Sequence, residues 1–255
     1  MVRRLLLLCL LALSAVAPGV HAQTAPAGTA APAANAVDPA AIQALKDMGA
    51  FLQTLKRFHV STQVTGERVL ADGQKLQRMA TADVDAERPN RLRIAMQSAR
   101  LQRVLYYDGK TFTLHQPAQK VYSSVEFEDD IPGLVGRLQK YGVEMPLTDL
   151  FVWGTPAAPI DKIESAMNAG QDFVDDDLCE HYAFRQGKFD WQIWVVAGNK
   201  PLPRKMVITR RDDDARPQSV HLIDWNLKPV FKSTTFRFTA PKSVTRVEMV
   251  APKAK

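Results

Sequence analysis

The chain has 255 residues, a formal net charge of +6, 46% hydrophobic residues and two cysteines. Its basic residues are interspersed with acidic ones and form no run, which argues against a nucleic-acid partner. A chain of this length can form one large domain with its own hydrophobic core.

The N-terminus has the pattern of a secretory signal peptide. Arg3 and Arg4 give a positive start, and an apolar run over residues 5–17 leads to a cleavage site ending at Ala22. This run is too short for a membrane span, and no later stretch is long and apolar enough to form one. Since Cys9 lies inside the apolar run, it does not fit a lipid anchor. The sequence therefore predicts export to the periplasm through a cleavable signal peptide.

Four regions follow from composition and pattern. Residues 1–22 are the signal peptide, and residues 23–37, rich in alanine and proline, form a flexible linker. Residues 38–250 form the folded domain, with a helical insert at 129–169, and residues 251–255 are a disordered tail.

The domain opens with an amphipathic helix. Asp38 is suited to cap it and Pro39 to occupy its first turn. Apolar residues then recur at spacings of three and four, at Ile42, Leu45, Met48, Leu52 and Leu55. This pattern predicts a helix that packs on a sheet.

The next stretch of the sequence is predicted to consist of consecutive β-strands. Two-residue periodicity predicts strands over 58–65, 79–86, 91–97, 102–107, 111–115 and 121–127. Asp108-Gly109 has the signature of a type I′ hairpin turn. Short turns between sequential strands predict an antiparallel meander.

The middle of the chain favours three short helices, around Leu134 and Leu138, around Leu150 and Phe151, and over residues 160–167. Strands are then predicted at 182–184, 189–195, 206–208, 220–222, 236–238 and 244–250. About eleven strands cannot bury one face under a single helix. The sequence predicts an α+β fold, an antiparallel, strongly curved half-open β-barrel with an N-terminal helix and a helical lid. An apolar ligand would lie between the sheet and the lid.

Chemical motifs are few. Cys179 and His181 share a strand face and could form a thiolate–imidazole nucleophile, but no third orienting group is identifiable. A small apolar cysteine beside a surface histidine is the favoured interpretation. The other histidines have no metal-ligand spacing, and the two triple-aspartate runs lack the alternation of a calcium loop. The sequence therefore predicts a protein that is not an enzyme and has no cofactor or metal.

Four tryptophans are present, and two do not follow the inward pattern of their strands. Trp191 fits the inward face, whereas Trp194 and Trp225 lie on the opposite one. These two rings either border a cavity or shield strand edges.

Four segments in order carry a family resemblance: 55–61 (LKRFHVS), 87–92 (ERPNRL), 98–111 (leading into DGKT) and 235–244 (TFRFTAPKSV). Together they resemble the periplasmic lipoprotein carrier of the LolA/LolB superfamily, and more closely an uncharacterised group of predicted periplasmic proteins within it. The resemblance covers the whole mature domain. It implies an eleven-stranded half-barrel closed by helices, with a cavity for acyl chains.

The resemblance also implies a site. Arg88, in Arg88-Pro89-Asn90, occupies the position of an arginine that latches the carrier's lid by hydrogen bonds to backbone carbonyls. Leu92 matches an aromatic position on the carrier's cavity-side strand. The candidate ligand-binding residues are Arg88, Leu92, Ile94, Met96, Leu134, Leu138, Phe151, Trp153, Trp191 and Ile193.

The function expected from these observations is a periplasmic, non-enzymatic binding protein that holds an acyl chain, lipid or lipoprotein under a helical lid. One alternative is a protein-interaction or envelope-stress sensor domain on the same fold, and a less favoured one is a Cys/His hydrolase. The expected partners are an apolar ligand and an envelope protein, without nucleic acid and without a membrane span.

Overall fold

The computed structural model describes residues 36–143 and 145–249, all within one compact unit, Ala34–Lys255. The predicted signal peptide, almost all of the linker and the predicted tail lie outside the described residues, so these boundaries stay predictions.

The first element is the expected helix, α1, Pro39–Thr54. The Asp38 carboxylate accepts a hydrogen bond from the Ala40 N–H (2.8 Å), which caps the helix, and Pro39 lies in its first turn. Leu45, Met48 and Leu52 are each 2% exposed or less, so the predicted apolar face is the buried one.

Twelve strands and a second helix follow. The strands are β1 Arg57–Val69, β2 Lys75–Glu87, β3 Arg91–Gln97, β4 Gln102–Tyr107, β5 Thr111–Gln116, β6 Val121–Glu126, β7 Ser165–Val174, β8 Asp177–Gln186, β9 Phe189–Val196, β10 Pro203–Arg210, β11 Gln218–Asn226 and β12 Thr245–Arg246. The second helix, α2, is Ile131–Lys140, and 3-10 turns lie at Pro117–Gln119, Thr148–Phe151 and Ile160–Lys162.

All the strands form one sheet in the order β12-β6-β5-β4-β3-β2-β1-β11-β10-β9-β8-β7. Two antiparallel meanders, β1–β6 and β7–β11, meet where β1 pairs with β11, and the short β12 adds parallel to β6. The predicted antiparallel sheet with an N-terminal helix is confirmed. This sheet is neither closed nor strongly curled, which corrects the expected curvature. Because β6 and β7 lie far apart in the order, the segment between them, residues 127–164 (the insert), crosses the sheet.

The insert is less helical than expected. Only α2 is an α-helix, because Pro146, Pro156 and Pro159 stop helix propagation and leave single 3-10 turns. The predicted third helix is wrong at its end, since Met167 belongs to β7. Residues 167–173 of β7 are all exposed, so that strand shows no apolar alternation.

The C-terminal strands are also shorter than predicted. Residues 236–238 lie in a turn and irregular chain, and of the strand expected at 244–250 only Thr245–Arg246 forms among the described residues. The chain after β11 instead packs on the outer face of the sheet. There the Phe238 ring lies 5.5 Å from Tyr106, 4.9 Å from His115 and 5.0 Å from Tyr122.

The two off-pattern tryptophans have different positions. Trp225 is partly buried and packs against the core: its ring lies 5.5 Å from that of Phe58, and its Nε1 donates to the Pro203 carbonyl at 2.8 Å. Trp194 shields the outer face, stacked on His181 at 4.0 Å with the Lys205 ammonium 4.3 Å from its centroid. The inward face of β11 is therefore the one that carries Trp225.

Candidate ligand-binding cavity

Helix α1 fixes the insert by a close backbone contact. A Cβ on Gly49 would lie 2.5 Å from the Gly154 nitrogen, so both positions require glycine, and Gly154 also has φ +81°. The Gln53 side-chain amide donates to the Trp153 carbonyl at 2.6 Å. These contacts hold the chain at residues 153–154 against the helix.

One part of the inner face is filled. This packed half consists of β2–β5 with α2, and its largest side chains belong to one continuous core cluster. The Tyr107 hydroxyl donates to the Asp129 carbonyl (2.6 Å) and accepts from the Asp129 N–H (3.0 Å), which fixes the chain entering α2. Four of the predicted ligand-binding residues lie in this half and are 1% exposed or less: Leu92, Ile94, Leu134 and Leu138. Phe151 of the insert and Ile193 of β9 are equally buried and belong to the same cluster, which therefore continues into the other part of the sheet. Met96 is partly buried against the same cluster.

Arg88 lies between the packed half and the insert. Its guanidinium carbon is 5.5 Å from the centroid of the Phe151 ring. Its Nε and Nη2 are buried and have no hydrogen-bond partner among the described residues, so these atoms do not make the predicted bonds to lid carbonyls. Burial lowers the pKa of this guanidinium, and the nearby Asp130 carboxylate opposes that shift. The contact with the insert is therefore a cation–ring contact.

A cavity occupies the other part of the inner face. This open half consists of β9–β11 with residues 147–160 of the insert, and the cavity there has a volume of about 510 Å³. Its lining is Asp149, Val152, Trp153, Pro159, Gln186, Phe189, Trp191, Met206 and Ile208. A narrow inner extension of about 30 Å³ is also lined by Leu147, Leu150, Ile193 and His221. Of the predicted ligand-binding residues, Trp153, Trp191 and Ile193 line this space.

Polar groups in this cavity are few. Asp149 is exposed to solvent where it lines the cavity, but the protein atoms around its carboxylate displace part of its hydration shell and raise its pKa. The His221 Nδ1 is buried without a hydrogen-bond partner among the described residues, and burial lowers the pKa of the imidazole, which favours its neutral form. The Gln186 amide donates to the Pro159 carbonyl at 2.8 Å, which fastens the insert to β8.

Sequence reasoning missed Asp149, Met206, Ile208 and His221 as lining residues. Met206 and Ile208 alternate on β10 beside Trp191, so the strand pattern carried a signal for them. No sequence pattern distinguished Asp149 from the other acidic residues of the insert.

A comparison with known protein families identifies the family of this chain. A family described as "Predicted periplasmic protein (DUF2092)" matches residues 41–250. The chain belongs to this family. The resemblance to a group of predicted periplasmic proteins is thus confirmed, and the DUF2092 match places the chain among proteins described as periplasmic. No functionally curated protein is similar to it in sequence.

Several solved structures are similar to this DUF2092 chain at low identity. An uncharacterised conserved protein from Thermus thermophilus is 10% identical, over 81% of this chain and 99% of that one, with a TM-score of 0.49. LprF from Mycobacterium bovis is 14% identical, over 82% and 99%, with a TM-score of 0.45. The LolA superfamily protein NE2245 from Nitrosomonas europaea is 12% identical, over 78% and 97%, with a TM-score of 0.35.

Cys179 and His181 of the DUF2092 chain share the outer face but are engaged separately. Cys179 is fully buried in a small cluster with Val174, Trp194 and Val207, and burial raises the pKa of its thiol. The His181 ring stacks on Trp194, and its Nε2 lies 3.0 Å from the Gln192 Oε1. A raised thiol pKa opposes thiolate formation, so the arrangement does not favour a nucleophile.

A second polar group on the outer face has the order Ser–His–Asp. His59 Nδ1 lies 2.7 Å from the Asp85 carboxylate, and His59 Nε2 lies 3.1 Å from the Ser61 hydroxyl. However, Ser61 is also 2.9 Å from the Asp83 carboxylate, to which it donates. Strand β1 pairs on both sides, so its amides are committed to the sheet and offer no oxyanion hole. This network links strands and does not assemble a hydrolase site.

Within residues 36–143 and 145–249, no three or more histidine, cysteine or acidic side chains are grouped as a metal site would require. In the same part of the chain, every helix is too short or too polar to cross a membrane.

Proposed function

We propose that this DUF2092 protein is a periplasmic, non-enzymatic binding protein that holds the apolar chain of a lipid or lipoprotein between the insert and β9–β10. The observation that carries the proposal is the cavity of about 510 Å³ in the open half. Ligand pockets commonly have volumes of roughly 300–1,000 Å³ and mostly apolar walls with few polar groups. The lining has this composition.

The open half is a better binding region than the packed half. A ligand entering the packed half would have to displace side chains that are fully buried, at a cost of several kcal/mol. In the open half, Trp153, Trp191, Met206 and Ile208 already face unfilled space. Burying ten methylenes there would contribute about 8 kcal/mol before ordering costs, at about 0.8 kcal/mol each.

Arg88 has a supporting role in this proposal. Its guanidinium rests on the Phe151 ring, directly before residues 152 and 153 of the cavity wall. Holding Phe151 in place would restrain the insert over the open half. Arg88 would thus position the lid without touching the ligand.

The direct test is native mass spectrometry of protein purified from the periplasm, with extraction and identification of any bound molecule. Met206→Trp places a large ring in the cavity, whereas Leu222→Trp places the same ring on the exposed outer face of β11. We expect a bound apolar molecule in the unaltered protein and in Leu222→Trp, and its loss in Met206→Trp. Protein that carries no apolar molecule and binds no added acyl chain would overturn the proposal.

A protein-interaction role is the second candidate. Strand β7 is an outer strand of the sheet and exposes Phe173 (67%) and Met167 (39%) along its length. Residues 36–38 pair with β7 at Ala166, and the rest of its outer edge has no neighbouring strand among the described residues, so a partner could add a strand there. A photo-crosslinking residue at Phe173 should capture a specific envelope protein in vivo, whereas one at Asp161 should not. Equal capture at both sites would count against this role.

A further inference from the structure

We propose that the cavity selects amphiphiles whose polar end is an alkylammonium group, held by the Asp149 carboxylate and the Trp153 and Trp191 rings. This inference rests on the proposed function and specifies the ligand class for the same cavity.

Charge is the first argument. Asp149 is the only charged side chain among the described residues that line the main cavity. A carboxylate that stands among apolar lining residues attracts a cationic partner entering the cavity, even while it remains accessible to solvent. The nearby His221 is a poor counter-ion for it, since burial lowers the pKa of that imidazole and favours its neutral form.

The aromatic lining is the second argument. Trp153 and Trp191 face the same cavity with ring centroids 5.8 Å apart and planes inclined at 44°. Phe184 stacks behind Trp191 at 4.3 Å, which fixes the orientation of that ring. Tryptophan faces attract alkylammonium cations, and aromatic rings arranged around a carboxylate suit a quaternary ammonium group. Phe189 adds a third ring to the cavity wall.

The two arguments require each other. Aromatic rings alone would accept any apolar chain, and a carboxylate alone would accept many donors. Together they favour a group that is both cationic and weakly hydrated. Met206 and Ile208 in the same wall offer apolar surface for the attached chain. A fatty-acid carboxylate would instead face Asp149 with like charge, which disfavours it.

The test uses four decyl compounds below their micelle concentrations: decyltrimethylammonium, decylphosphocholine, decanol and decanoate. Affinity for the full-length mature protein is measured by calorimetry and by tryptophan fluorescence. We expect decyltrimethylammonium to bind about tenfold more tightly than decanol, and decanoate to bind most weakly. The decylphosphocholine arm distinguishes a zwitterionic lipid headgroup from a simple ammonium amphiphile as the natural source.

Asp149→Asn keeps the side-chain shape and removes the charge. It should abolish the preference for ammonium over decanol, whereas Asp161→Asn, an exposed site outside the cavity lining, should leave it unchanged. Should Asp149→Asn fail to fold, the ranking of the four probes on the unaltered protein decides alone.

The outcomes separate the two proposals. If decanol binds and the ammonium compound binds no better, the ammonium inference is overturned while the apolar cavity stands. A tenfold preference that survives in Asp149→Asn would overturn the role of Asp149. If none of the four compounds binds, the proposed function itself fails.

Discussion

The packed half and the open half share one sheet but differ in what covers them. In the packed half, α2 contributes Ile131, Leu134 and Leu138, which are each 1% exposed or less. In the open half, the proline-containing chain between residues 146 and 159 covers β9 and β10 and leaves a cavity. A continuous helix supplies an apolar stripe that fills the space above a sheet, whereas single 3-10 turns cannot. Where the insert loses its helix, the protein gains room for a ligand.

The sharpest contrast is between two side-chain truncations. Leu92→Ala in the packed half should cost about 2–5 kcal/mol of unfolding free energy, because it leaves a cavity in a closely packed core. Met206→Ala in the open half removes a side chain that borders space already present, so we expect a loss of roughly 1 kcal/mol. Urea unfolding of both variants measures the difference. Equal losses would mean that the two halves are packed alike.

A pair of glycines tests the contact that holds the insert. Gly49→Ala introduces a Cβ 2.5 Å from the Gly154 backbone, so it should destabilise the protein by about 1–3 kcal/mol despite the better helix propensity of alanine. Gly136→Ala in α2 meets nothing within 4 Å and should stabilise by roughly 0.5–1 kcal/mol. Thermal unfolding measures whether each of the two substitutions lowers or raises the stability of the protein. A stabilising Gly49→Ala would show that α1 does not press on the insert.

Substitutions of Arg88 test whether its contact with Phe151 restrains the insert over the open half. Arg88→Leu removes the cation–ring contact with Phe151, worth about 1 kcal/mol, and should raise protease cutting within residues 147–162. Arg88→Lys should rescue incompletely, because an ammonium does not stack as a planar guanidinium does. If the rate of protease cutting within residues 147–162 is unchanged in Arg88→Leu, Arg88 does not restrain the insert.

The smallest expected effect is a pH dependence from Asp149. Because burial raises the pKa of this carboxyl above its ordinary value of about 3.9, the folded state binds the proton more tightly than the unfolded state. The contribution of the Asp149 carboxyl to the free energy of unfolding therefore decreases as the pH rises from about 4 through the raised pKa. Asp149→Asn should match the unaltered protein near pH 4 and be more stable at pH 7. Urea unfolding across this range measures the difference, and parallel curves would show that the carboxylate carries no burial penalty.

Sequence patterns predicted much of the sheet because its inward faces alternate between buried and more exposed residues, as at the start of β1 and in β3. Strand β7 was missed since almost all of its side chains are exposed, which leaves no alternation to detect. The aromatic segment at 236–238 predicts a strand because Phe236 and Phe238 alternate, whereas in the structure those rings pack individually from a turn and irregular chain.

The site was harder to predict than the fold. Periodicity identifies which face of a strand is apolar but not how far away the next layer lies. Leu92 and Trp191 therefore carried the same signal, although Leu92 is enclosed by the core and Trp191 borders a cavity. Asp149 could not be found at all, because a carboxylate inside an apolar cavity has the same sequence signature as one on the surface.

The central claim is that an apolar chain binds in the open half, and methionine-methyl NMR tests it most directly. Met206 lines the cavity, Met48 lies on the fully buried face of α1, and Met96 lies on β3 in the packed half. With ¹³C-methyl methionine and a decyl ligand, the account predicts a large shift and intermolecular contacts at Met206, with Met48 and Met96 unchanged. Contacts at Met48 or Met96 without any at Met206 would contradict it.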